Sequence, residues 1–238
     1  MRKKTALQYL FAFILLVTAG CAGLPAIIPP DNAPAPDEQM LCRELAPLFP
    51  SDAVQFVHAL ELTMQGGHSA MLMGVVNIHP RKQALHCVVM TLEGLVLFEA
   101  DHASDRFTIT RAIHPFDSQA LAQGLISDIE LIFFKPRGVF EARGTLENKS
   151  RILRFSEPDG GTLDIVSSPD RTVWTQTLRT PSHRIKHSVR YLFPKAPVNS
   201  RPFVFPKSIT LTAAFPSRYT LTMTLTDANL ISDTQPGR

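Results

Sequence analysis

Two runs near the end of the chain alternate with a period of two. In the first, Ile209 and Leu211 alternate with Ser208, Thr210 and Thr212. In the second, Leu221, Met223 and Leu225 alternate with Thr220, Thr222, Thr224 and Thr226. Only a pleated strand places residues i and i+2 on one side, so each run has one apolar and one hydroxylated face. Half-buried strands of this kind belong to antiparallel sheets. The same period marks the first half of the chain. Val54, Phe56, Ala59 and Leu60 begin a strand that reaches Met64, where Gln65-Gly66-Gly67-His68 supplies a turn. Met71 to Ile78, Leu85 to Leu92, Leu95 to Ala100 and Phe107 to Ala112 follow, separated by His79-Pro80-Arg81-Lys82, Glu93-Gly94 and Ala103-Ser104-Asp105. Turns at this spacing specify an antiparallel meander.

The meander ends in a change of period. Asp117-Ser118 caps a helix running to Phe134, with Leu121, Leu125, Ile129, Ile132 and Phe133 on one face, and Pro136 stops it. Strands resume at Ile152 to Phe155 and Leu163 to Val166, joined by the turn Glu157-Pro158-Asp159-Gly160-Gly161. Thr172 to Leu178 and Ile185 to Phe193 precede a proline-rich loop, Pro194 to Pro206, and the two closing strands. A shorter helix, Asp37 to Leu48, with Leu41, Leu45 and Leu48 on one side, leads the whole series. The expectation is a mainly β, α+β domain of about ten or eleven strands.

The amino terminus is of another kind. Arg2, Lys3 and Lys4 precede an apolar run from Leu10 to Val17, too short for a comfortable membrane span, and Thr18-Ala19-Gly20 narrows to small side chains before Cys21. This tract resembles the lipobox of bacterial lipoproteins. The resemblance implies a signal peptide over residues 1–20, cleavage before Cys21, and acylation of Cys21 as a lipid anchor. The alternative is an ordinary cleaved signal with an incidental cysteine. Ala22 replaces the aspartate that retains such proteins in the inner membrane, which implies the outer membrane, facing the periplasm. Residues 21–38 hold five prolines and read as a semi-extended tether, leaving 39–238 as a single domain.

Removing residues 1–20 takes three of the 24 basic residues and no acidic one, so 21 Lys and Arg balance 21 Asp and Glu. A neutral chain has no general field to gather nucleic acid, which is excluded as a partner. Two further cysteines, Cys42 and Cys87, either form one bridge in an oxidising compartment or stay as buried, inert thiols.

The order of elements carries a second resemblance. A leading helix, a five-stranded meander, a helix, then a strand group ending in Pro206-Lys207-Ser208-Ile209-Thr210-Leu211 and Tyr219-Thr220-Leu221-Thr222-Met223-Thr224-Leu225 is similar to the LolA/LolB fold. It resembles outer-membrane lipoproteins of that superfamily other than LolB itself. The resemblance implies an unclosed antiparallel barrel around an apolar cavity, with helices on the concave side and acyl chains as cargo. Ala120 to Phe133 becomes the lid, and Leu121, Leu125, Ile129 and Phe133 become candidate ligand contacts. LolB's apolar protruding loop has no clear counterpart in the sequence. The implied protein is a monomer that binds a hydrophobic ligand or lipoprotein acyl chains in envelope transport or sorting. A scaffold or assembly factor is the alternative, and a periplasmic hydrolase a third.

Motifs for chemistry are missing. No Gly-x-Ser-x-Gly elbow, phosphate-cradling glycine loop or His-Glu-x-x-His is present, so the sequence calls for no enzyme, cofactor or metal. The six histidines at 58, 68, 79, 86, 102 and 114 read as scattered surface residues, and Asp128 with Glu130 as a solvated helix edge. Arg179, His183, Arg184, Lys186, His187 and Arg190 form the one basic concentration, suited to head groups or simply to a polar strand face.

Overall fold

The computed structural model describes residues 23–30, 38–103, 106–195, 204–214 and 218–231. The signal segment and Cys21 lie outside them. The meander expected from the first half is present as β1 (Val54–Met64), β2 (Ser69–His79), β3 (Ala84–Met90), β4 (Val96–Ala103) and β5 (Arg106–Ala112). Helix α1 (Glu38–Leu45) precedes it and α2 (Gln119–Phe133) follows. The second group is β6 (Val139–Thr145), β7 (Arg151–Ser156), β8 (Thr162–Ser167), β9 (Val173–Arg179), β10 (Ile185–Leu192), β11 (Ser208–Ala213) and β12 (Tyr219–Leu230).

All twelve strands form one antiparallel sheet in the order β5-β4-β3-β2-β1-β12-β11-β10-β9-β8-β7-β6. Twelve strands replace the ten or eleven expected, the addition being β6. Its alternation is broken by a register shift between Phe140 and Ala142, so its sequence carries no clean period. The two strand groups meet where β1 pairs with β12, from Val54 opposite Leu230 to Met64 opposite Tyr219. The free edges are therefore β5 and β6, and α2 is the connection between them. The barrel stays unclosed, with a helix joining its two edges.

Helix α2 lies against the inner face of the sheet. Its Phe133 ring stacks on Phe56 of β1 with centroids 5.1 Å apart. The Tyr191 hydroxyl of β10 donates to the Ile132 carbonyl at 2.9 Å. Ala122, Ile126, Ile129, Ile132 and Phe133 are buried in the same core as Leu60, Leu153, Ile165 and Leu211. Each large side chain so buried contributes roughly 1.5–3 kcal/mol. Ile129, Ile132 and Phe133 are buried as expected, but in the first two turns the stripe runs through Ala122 and Ile126, one position on from Leu121 and Leu125. Leu121 is exposed and Ala122 takes its place, because a helix apolar on most sides leaves sequence little basis for choosing the inward face.

Residues 23–30 do not hang free. Ile28 forms a two-bond antiparallel bridge with Thr145, each N–H to O distance being 2.9 Å, on the outer edge of β6. Arg154 of β7 donates to the Pro25 carbonyl at 3.1 Å while its Nε and Nη2 hold Asp164 of β8 at 2.6 and 3.1 Å. Gly144 makes the bed for this strap, since a Cβ there would stand 2.2 Å from the Ile28 carbonyl oxygen. Over these residues the segment read as a tether packs on the edge of the sheet.

Candidate functional site

A cavity of about 290 Å³ opens on the concave side at the carboxyl end of α2. It lies near the lower limit of typical ligand pockets, roughly 300–1,000 Å³. Four parts of the chain build it. The turn after α1 contributes Ala46, Pro47, Leu48 and Pro50, and α2 contributes Ile132 and Phe133. The strands supply Phe56 and His58 from β1, Tyr191 from β10, Ile209 from β11 and Leu225 from β12. Val204, Phe205 and Pro206 close one side. Each strand contact follows from the period of two. Phe56 and His58 face inward with Val54 and Leu60, and His58 stands opposite Leu225 across the β1–β12 pairing.

The wall is aromatic. Phe205 meets Phe56 edge-on with centroids 5.0 Å apart, and Phe133 lies flat against the same ring. Tyr191 is polar, but its hydroxyl is used twice, donating to Ile132 and accepting from Gln176 Nε2 at 2.8 Å. His58 differs. Only 2% of it is exposed, its Nδ1 has no hydrogen-bond partner among the described residues, and its ring sits beside Phe56 and Phe133 at 5.8 and 6.0 Å. Burial lowers its pKa to about 4, so the imidazole is neutral at pH 7. The surface reading of this histidine is thus corrected. It occupies an inward position in an otherwise apolar alternation, a signal present in Val54-Gln55-Phe56-Val57-His58.

A second buried group lies further back along α2. Asp128 is only 4% exposed, not on a solvated edge. Tyr219 of β12 donates its hydroxyl to Asp128 Oδ2, and His187 Nε2 of β10 stands 3.5 Å from Oδ1. His187 and Tyr219 share one row across β10, β11 and β12, both opposite the small Ala213, which leaves room for α2 to reach in. Burial raises Asp128 to about 6 against the opposing effects of Tyr219 and Lys186. Burial, then Lys186, lowers His187 to about 4, so at neutral pH its contact with Asp128 is between an anion and a neutral ring. His187 thus turns to the face of β10 opposite that of Lys186 and Arg190 in the basic tract. Glu130, two residues further along α2, accepts from Arg137 at 2.7 Å and lies 3.1 Å from His102 of β4.

The remaining sequence candidates fall as follows. Phe133 lines the cavity, whereas Ile129 and Leu125 pack into the core behind it and Leu121 faces solvent. Cys42 and Cys87 are both free thiols, so the bridge does not form. Cys42 on α1 accepts from Lys135 at 3.3 Å, and Cys87 is sealed inside β3. Among the described residues, no group of three His, Cys, Asp or Glu side chains gathers as a metal site, and no helix is long and apolar enough to cross a membrane. Sequence reasoning missed His58, Tyr191, Phe205 and the turn after α1, which come together only in the folded sheet. It put Leu92 and Leu95 in the third and fourth strands, whereas both lie in the β3–β4 turn and are 58% and 56% exposed.

An antiparallel sheet rolled into a half-barrel, left open and bridged by an inner helix, defines the fold class. No protein-family model matches the chain, and no curated protein matches it in sequence. Solved structures do match. A LolA superfamily protein, NE2245, from Nitrosomonas europaea superposes with a TM-score of 0.57 at 15% identity, covering 83% of this chain and 95% of that one. A domain described as an outer membrane lipoprotein-sorting protein domain, from Vibrio parahaemolyticus, gives 0.50 at 6% identity, with 82% and 92% covered. The particular fold is thus the LolA-like unclosed barrel.

Proposed function

We propose that this protein is an outer-membrane lipoprotein, anchored through acylated Cys21 and facing the periplasm, whose half-barrel binds an acyl chain or similar apolar ligand. It acts as a monomer and a carrier in lipid or lipoprotein transport, not as an enzyme. The observation that carries this reading is the aromatic and aliphatic cavity at the end of α2, with no Lys, Arg, Asp or Glu among its described lining residues. A wall of this kind favours an apolar occupant, since each methylene buried contributes about 0.8 kcal/mol. The match to a lipoprotein-sorting domain in Vibrio agrees with it in fold. In this reading α2 is the lid, Phe133 touches the ligand, and Leu125 and Ile129 hold the helix down. Leu92 and Leu95 give the opposite end of the sheet an apolar tip for meeting a bilayer.

The test is capture of a fluorescent apolar probe, N-phenylnaphthylamine, by the purified protein carrying Cys21→Ser, which removes its own acyl groups as competitors. Wild-type cavity walls should bind the probe and release it to a long-chain acyl ester. Leu225→Trp, which places an indole in the cavity, should lower probe affinity at least tenfold while melting within a few degrees of the parent. Absence of probe binding by the parent would favour a scaffold over a carrier.

A further inference from the structure

The cavity has one polar group that the protein does not use. Tyr191 is fully engaged by Ile132 and Gln176, and the remaining lining side chains are aliphatic, aromatic or proline. Among the described residues, His58 alone borders the space with a polar ring not fully engaged: its Nδ1 is sealed off without a partner, which leaves Nε2 as the nitrogen that an occupant can meet. A buried polar group without a partner costs stability, and protein interiors rarely tolerate one without a reason. Phenylalanine would fill this place between Phe56 and Phe133 without that cost.

We propose that His58 is a specificity residue that selects neutral, hydrogen-bonding acyl ligands, esters or alcohols, over both plain hydrocarbons and ionised fatty acids. This rests on the carrier reading above and narrows its ligand class. A neutral imidazole has one N–H and one acceptor nitrogen, so it can donate to an ester carbonyl or accept from a hydroxyl. The ring is held uncharged at neutral pH by its burial, which removes any attraction for a carboxylate. No cationic side chain stands in the described wall to replace it. An ionised carboxylate brought to this place loses its hydration without gaining a counter-charge. A hydrocarbon leaves His58 as unsatisfied as before. An ester satisfies the ring and carries no charge.

The experiment uses the full chain with Cys21→Ser and three competitors of equal chain length against N-phenylnaphthylamine: methyl dodecanoate, dodecanoate at pH 8, and tridecane. The ester should compete more tightly than the hydrocarbon by roughly 2- to 10-fold, the worth of one net hydrogen bond, and at least tenfold more tightly than the anion. In His58→Phe the ester's advantage over tridecane should vanish while tridecane itself binds as well or better, which also shows that the variant is folded. His58→Gln, which keeps a donor and an acceptor, should restore part of the preference. Equal competition by ester and hydrocarbon in the parent would overturn the role of His58 while leaving the carrier reading intact. An unchanged ester preference in His58→Phe would do the same, making the histidine a packing residue only. Failure of all three to compete would overturn the carrier reading and this proposal with it.

Discussion

At the scale of single residues, Asp128 shows what the inner helix gives up by reaching into the sheet. Its carboxyl titrates near 3.8 when unperturbed and about 6 in the folded protein, chiefly because of burial. Between those values the folded state holds a proton that the unfolded chain has lost. The contribution of this group to stability is therefore greatest below pH 4 and is lost as the pH rises through 6. Asp128→Asn keeps an oxygen for the Tyr219 hydroxyl and removes that loss. Relative to wild type, the variant should gain stability from pH 4 to 6 and level off above, by roughly 1–3 kcal/mol. The other groups facing this site are common to both proteins. Burial first, and then Asp128, keep Tyr219 protonated, and His187 titrates near 4. Urea unfolding from about pH 4 to 7 measures the difference, and parallel curves for the two proteins between pH 4 and 6 would refute it. His58 makes the same point about legibility. Its inward place was written in the alternation around Phe56, but whether an inward histidine finds a partner depends on side chains from four distant parts of the chain.

At the scale of elements, legibility followed alternation in the sequence, even where the pairing shifts register, as between Val57 and His58. β1, β11 and β12 alternate cleanly, and α2 ends at a proline two residues beyond its cap. β6 was not legible. Glu141 and Arg143 interrupt its apolar residues, its pairing with β7 shifts register between Phe140 and Ala142, and Ile28, more than a hundred residues earlier, bridges its Thr145. The strap explains why Gly144 sits in that strand. Gly144→Ala would bring a methyl within 2.2 Å of the Ile28 carbonyl and 2.6 Å of Ile27 Cγ2, and backbone at that distance must move. The expected outcome is loss of the Ile28–Thr145 bridge at a cost of about 1–3 kcal/mol. Hydrogen exchange should show the Thr145 amide deprotected, with the amides of β1 and β12 unchanged. Protection retained at Thr145 would mean that the edge accommodates the methyl by sliding, not by release.

At the scale of the whole molecule, the strap sets how the domain meets its membrane if Cys21 carries the anchor. Pro25 is held by Arg154, and only three residues lie between it and Cys21, a reach of about 14 Å at full extension. The face of β7 and β8 that carries Arg154 and Asp164 would then lie close to the bilayer. The concave side with its cavity would be turned away, toward the periplasm and an arriving cargo. Freed from the sheet, the leash would extend to Glu38, seventeen positions from Cys21, with a reach of up to about 50 Å at the rise of a proline-rich segment. Neutron reflectometry on a supported bilayer distinguishes the two arrangements. Acylated wild-type protein should form a narrow layer against the head groups, and Gly144→Ala a layer broader and centred at least ~10 Å further out. The same profile for both proteins, once exchange has shown the strap released, would mean that the docked segment does not govern orientation. Loss of the layer altogether in Cys21→Ser is the accompanying control. Without it, the height of the domain says nothing about a leash that begins at residue 21.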